Sequence, residues 1–198
     1  MALVITLNGS LTMDESEGLQ TSGISVAGVE DNDDNDIDPS LLPSAIFSEA
    51  GMQVGDVIAA AASADNFIAI TSDNAVSSLG FVKADGTGLP VYGVDAAGVA
   101  SGISALDGGA ISLFSDGSRN VLGVDTDGHI VLALYMDANT ALTSAKIWMA
   151  QFEPLSHPID TNPDDAIDLL GLGVAAGSSL TFDFNALPSG QNLFGTVG

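Results

Sequence analysis

From residue 56 to residue 152 the chain reads as short apolar or alternating runs, each broken after a few residues by Gly, Asp or Asn. No other feature constrains the fold as strongly. The runs are Val57–Ala62, Phe67–Thr71, Leu79–Lys83, Leu89–Val94, Ala110–Phe114, Asn120–Val124, His129–Met136 and Ala145–Phe152. Between them stand Asp-Asn at Asp73, Asp-Gly at Asp85, Asp107, Asp116 and Asp127, and Asp-Ala at Asp95 and Asp137. Strands at ~8–12-residue spacing with such turns indicate an antiparallel sandwich or barrel. Asp-Gly suits hairpin turns because both central residues tolerate positive φ. These aspartates are therefore turn formers first and metal ligands only second.

The flanks add little regular structure. Leu3 to Leu7 reads as a strand, and Leu41 to Ala50 suits one or two helical turns, with Pro43 near the start and Gly51 past the end. The clearest helix signal is Asn162-Pro163-Asp164-Asp165-Ala166-Ile167-Asp168-Leu169-Leu170-Gly171, which carries a capping residue, a first-turn proline, early acids and a closing glycine. Leu180 to Phe184 alternates as a strand should. The expected fold is mainly β: an antiparallel β-sandwich-like domain with one or two short helices, residues 1–198 forming a single unit. The tail after Pro188 carries no closing signal, so an excised piece of a longer secreted protein is expected.

Charge sets the second constraint. Three basic residues, Lys83, Arg119 and Lys146, face 26 acidic ones, for a net charge of −23. Such a surface repels nucleic acid and anionic membranes, whose recognition needs several Lys or Arg. No apolar run approaches the ~20 residues of a membrane helix. Without cysteine there is no disulfide, thiolate catalysis or Cys-based zinc site.

The acids concentrate in Glu30 to Asp38, where six carboxylates and two side-chain amides occupy nine residues. Packed so closely they repel one another. Either the run stays solvated, as like-charge blocks often do, or a hard dication neutralises it, since Ca²⁺ takes ~6–8 oxygen ligands. The folded surroundings and the apolar stretch after Pro39 favour calcium, which places Asp31, Asp33, Asp34, Asp36 and Asp38 among its ligands. An EF-hand frame fails. From Asp31, Asp36 stands where Gly is required and Leu42 where Glu is required; from Asp34, Pro39 takes the glycine position. Distant carboxylates must complete any site, Asp14 and Glu15 being the nearest in sequence. Asp160, Asp164, Asp165 and Asp168 form a second candidate group, with helix N-terminal acids as the alternative reading.

Catalysis has little support. His129 follows an Asp-Gly turn and His157 precedes Pro158; two histidines define neither a triad nor a zinc site by spacing. No enzyme is expected. Trp148, Tyr135 and Phe152 occupy core-like strand positions, while Tyr92 or Tyr135 could line a groove.

Several segments in fixed order resemble a known family. They are Asp14-Glu15-Ser16-Glu17-Gly18-Leu19-Gln20, the Asp-Asn-Asp-Asp run, Ser101 to Asp107, Asn120 to Val124, Phe152-Glu-Pro-Leu-Ser-His-Pro, and Asn162 to Asp165. Together, from about Leu11 to Phe184, they resemble the large domain of giant repeats-in-toxin (RTX) adhesins of Gram-negative bacteria. The Gly-Gly-x-Gly-x-Asp nonapeptide of parallel β-rolls is absent. The resemblance implies a secreted, cell-surface, monomeric, calcium-dependent module that binds a peptide or protein C-terminus on another cell. The alternative is a calcium-stiffened spacer without its own ligand. In contrast with many members, the chain after Phe184 does not run into an Asp-Gly-Asp stretch.

Overall fold

The computed structural model describes residues 3–9, 11, 37–47, 51–83, 85–107 and 109–156, together with the backbone of Val174–Leu180. Among these residues ten strands form: β1 (Leu3–Leu7), β2 (Ala59–Ala62), β3 (Ile68–Ser72), β4 (Val76–Lys83), β5 (Val99–Ser104), β6 (Ala110–Ser115), β7 (Asn120–Val124), β8 (Ile130–Ala138), β9 (Ser144–Gln151) and β10 (Val174–Leu180). The protein is mainly β, and among the described residues every pairing between these strands is antiparallel. One curled sheet runs β1-β3-β9-β8-β7-β6-β5, with β2 also on β9; β4 and β10 make a two-stranded ribbon.

Consecutive strands β5 to β9 pair as a meander, the arrangement short turns favour. Its middle is buried on both faces. β7 is buried throughout, and β8 nearly so, because Ile130-Val-Leu-Ala-Leu presents apolar side chains to both sides rather than alternating. Leu113, Val121, Leu134, Met136, Ile147 and Met149 belong to one core, which Leu79 of β4 joins. Leu122, Ala133, Ala150 and Phe152 face a second core, closed by Leu42 and Ile46. Phe152 is thus a core residue, whereas Tyr92, Tyr135 and Trp148 are half-buried against that second core. Tyr92 meets Phe114 edge-on, with ring centroids 5.7 Å apart.

The edge of β9 away from β8 is shared. β2 takes residues 148–151 and β3 takes Ser144 and Ala145. Between them Ser63, 3% exposed, donates its N–H to the Ile147 carbonyl (2.9 Å) and accepts the Ile147 N–H on its hydroxyl (2.9 Å).

The sheet also bends back on itself at one end. The Leu106 N–H donates to the Pro154 carbonyl and the Ser156 N–H to the Ser104 carbonyl, both at 2.8 Å, and Ala105 bridges Leu155. The exit of β5 thereby meets the chain leaving β9, although β8, β7 and β6 lie between the two strands along the sheet.

The structure departs from the sequence expectation in several places. Leu89–Val94 is not a strand. Pro90 supplies no N–H, Gly93 sits at φ +75°, and the Asp95 carboxylate accepts the Val91 N–H at 2.6 Å, so the segment turns after one bridge from Val91 to Ser115. β5 forms where no strand was expected. Over residues 41–50 the described part, 41–47, holds 3₁₀ turns rather than α-helix: Pro39–Leu41 ends there and Ser44–Phe47 follows. The helix expected from Pro163 and residues 181–184 lie outside the described residues. β10 ends at Leu180, where the expected strand began. Among the described residues no helix is long and apolar enough to cross a membrane.

Candidate metal centre

The bend brings three turns together. Asp107 lies in the β5–β6 connection, Asp125 and His129 bracket the β7–β8 hairpin, and Glu153 follows β9. One ligand atom from each lies within 4.8 Å of the other three. A metal ion could be held here.

The β7–β8 hairpin is built by Asp125. Its Oδ1 accepts the N–H groups of Asp127 (2.9 Å) and His129 (2.8 Å), and Gly128 takes the positive φ of +90° that the turn demands. The turn-forming acceptor is therefore Asp125, and not the Asp127 of the Asp-Gly pair. The same arrangement recurs one hairpin earlier, where Asp116 Oδ1 accepts from Ser118 and Asn120. Asp107 Oδ1 accepts the Gly109 N–H at 3.1 Å. Gly109 permits the close approach of the two acidic turns: a Cβ there would stand 3.2 Å from Asp125 Cβ and 3.4 Å from Asp107 Oδ1. Glu153 is held by its backbone, whose carbonyl accepts from Gln151 Nε2 at 3.0 Å.

Asp125 Oδ2 distinguishes this cluster from a solvated acidic patch. The Asp125 side chain is fully buried, and Oδ2 has no hydrogen-bond partner. Its nearest ionic neighbour is His129 Nδ1 at 3.4 Å, which stands 3.5 Å from Glu153 Oε1. The imidazole is 58% exposed and the Glu153 side chain 32%. A buried polar atom left unpaired costs ~1–3 kcal/mol, and more when charged. A cation between these groups would remove that cost and the mutual repulsion of the acids. Lys146 is engaged elsewhere: its Nζ lies 4.2 Å from the Trp148 ring centroid and 3.5 Å from Asp65 Oδ1.

Of the acids expected to bind metal, Asp14, Glu15, Asp31, Asp33, Asp34, Asp36, Asp164 and Asp168 lie outside the described residues, as do Asp160 and Asp165. Asp38 is described and stands apart from the cluster. It caps the Pro39–Leu41 turn through Oδ1, which accepts the Ser40 N–H at 2.8 Å. Hydrogen bonds from the Ser40 backbone and side chain hold its carboxyl below the ordinary value of 3.8. Sequence reasoning passed over Asp125 and Glu153. The spacing Asp125-Thr-Asp127-Gly-His129, an acid and an imidazole astride a tight turn, is the signal that would have found the first. Nothing local pointed to Glu153, whose place beside His129 depends on the pairing of β9 with β8.

A family model described as "Domain of unknown function (DUF5801)" matches residues 10–181. No curated protein matches the chain, and no solved structure does.

Proposed function

For a chain that belongs to the family described as a domain of unknown function (DUF5801), we propose the role of a cation-dependent binding module in a secreted adhesin. The observation that carries this reading is the convergence of Asp107, Asp125 and Glu153 around a buried carboxylate oxygen without a hydrogen bond. A fold that gathers acids in this way, within a chain of charge −23, relies on bound cations for its compactness. Calcium is the cation for the acidic run ending at Asp38, whose donors are all oxygen. The β4–β10 ribbon, through Leu79 in the main core, supplies the second layer of a sandwich-like domain. The module is monomeric and acts at the bacterial surface, and it binds rather than catalyses.

Its ligand is a peptide or protein C-terminus on another cell, the class that the resemblance to RTX adhesins implies. The bare surface repels such a carboxylate. A Ca²⁺ ion with an unfilled position reverses the local sign, and its preference for hard oxygen suits the ligand. The test titrates one peptide, as free acid and as C-terminal amide, at saturating calcium and again in chelator. The free acid should bind only with calcium, and the amide should not bind. Equal affinity for both forms refutes carboxylate capture. No affinity for any peptide favours the alternative, a calcium-stiffened spacer.

A further inference from the structure

We propose that Asp107, Asp125, His129 and Glu153 form a site for a nitrogen-preferring first-row dication, typified by zinc, distinct from the oxygen-only acidic run. The inference rests on the reading that a cation completes this cluster, and it deepens that reading by naming the cation. Donor chemistry decides it. Ca²⁺ and Mg²⁺ draw on carboxylate, carbonyl and water oxygens, whereas imidazole nitrogen suits zinc, copper, iron and nickel. Here one of the four converging ligand atoms belongs to an imidazole. Its Nδ1 sits between two carboxylates, 3.4 Å from Asp125 Oδ2 and 3.5 Å from Glu153 Oε1. Donors bound ~2.0–2.1 Å from a tetrahedral ion stand ~3.3–3.4 Å apart, so the two His129 spacings match such an ion, and the remaining pairs, all within 4.8 Å, would close onto it. Calcium's longer bonds allow similar separations, which is why the nitrogen, and not the distance, makes the distinction.

The independent sign that this cluster awaits a ligand is Asp125. Its side chain is fully buried and its Oδ1 already accepts two turn N–H groups, while Oδ2 has no hydrogen-bond donor. A turn-forming aspartate needs only its first oxygen. The second points to a positive partner, and three of the four residues that meet here carry acid groups. At sites of mixed nitrogen and oxygen donors the divalent series rises from manganese towards copper, with zinc above manganese, so Zn²⁺ is the probe of choice.

The experiment uses the whole chain, stripped with chelator and exchanged into chelator-free buffer. Zn²⁺ and Ca²⁺ are titrated separately and in competition, by calorimetry and by NMR of the imidazole nitrogens. The chain has only two histidines, so the His129→Gln variant assigns the His129 signal. Zinc should shift that signal at one equivalent, and a large excess of calcium should not reverse the shift. His129→Gln, which keeps an oxygen donor and similar size, should weaken zinc by roughly ten- to a hundredfold, the scale on which loss of even a supporting partner acts. Its calcium affinity should not change. If calcium displaces zinc from His129, or if His129→Gln leaves zinc affinity intact, the metal class is overturned while calcium dependence stands. If neither ion perturbs His129 or the neighbouring turns, the cluster holds no cation, and the proposed function loses the observation that carries it.

Discussion

Asp125 divides its two carboxylate oxygens between opposite situations, one satisfied by turn amides and the other buried without a donor. Asp125→Asn should therefore change sign with the metal. In chelator the variant keeps the turn acceptor and loses a buried charge, gaining ~1–3 kcal/mol. At ~2–4 °C per kcal/mol for a chain of this size, thermal melting should rise by several degrees. With the cation present the order should invert, because the variant has lost a ligand. The same destabilisation in both buffers would show that Asp125 acts only in the turn. Asp85 supplies a simpler residue-scale case. The Thr87 hydroxyl and N–H both donate to its Oδ1, at 2.6 and 2.9 Å, and hold its carboxyl below the ordinary value of 3.8. A carboxyl whose folded pKa is depressed contributes stability above its unfolded value and loses it as pH falls through the folded one. Carboxyl NMR should find the Asp85 midpoint below 3.8, and Thr87→Ala should move it upward. An unmoved midpoint would remove the hydroxyl as the main cause.

At the scale of elements, the sequence was most legible where pairing and local pattern agree. Residues Leu3–Leu7 and Asn120–Val124 form strands with the expected ends, and the apolar run of β8 begins one residue later than expected, at Ile130. β5 was not legible. Val99-Ala-Ser-Gly-Ile-Ser has little β propensity, Gly102 lies at φ +82°, and the register with β6 shifts between Ala100 and Ser104. Partnership with β6, not preference, makes it a strand. Leu89–Val94 failed in the opposite sense, its apolar residues outvoted by Pro90 and Gly93. Glycine has a different use in β7, where Gly123 lies opposite Leu132. A Cβ at Gly123 would stand 2.7 Å from Leu132 Cγ and 3.1 Å from Ile111 Cγ2. Gly123→Ala should cost ~1–3 kcal/mol by urea denaturation through overpacking. A loss under ~0.5 kcal/mol, typical of an unconstrained surface position, would mean that Leu132 has room to yield.

For the whole molecule, the candidate site could not be read locally because it is a product of closure. Its residues come from three turns separated by up to 46 positions (Asp107 to Glu153): the Phe152 and Glu153 N–H groups on the Val131 carbonyl set Glu153 beside the start of β8, and the hydrogen bonds of the chain after β9 to the end of β5 bring Asp107 to the same end. The charge, by contrast, was plain from composition. At −23 the folded state carries self-repulsion that bound dications would offset, so on the proposed reading stability should depend on them by mass action. For one site at a hundredfold excess over its Kd the gain is ~2.7 kcal/mol. Calorimetric melting in millimolar calcium should exceed melting in EDTA at equal ionic strength. Identical transitions would remove the claim that calcium compacts the domain.

Ser63 makes the curled sheet less continuous than its strand order suggests. Where β2 gives way to β3 along β9, a hydroxyl takes the place of a backbone acceptor for the Ile147 N–H. A side chain can swing away without moving the main chain, which a ladder carbonyl cannot do. The sheet therefore contains a seam, with β2 on one side and β1–β3 on the other able to open separately. Hydrogen exchange should find the Ile147 amide less protected than those of Ala150 and Gln151. Ser63→Ala should accelerate it further while leaving the β7–β8 amides slow. Uniform protection along β9 in that variant would show one cooperative unit instead of two.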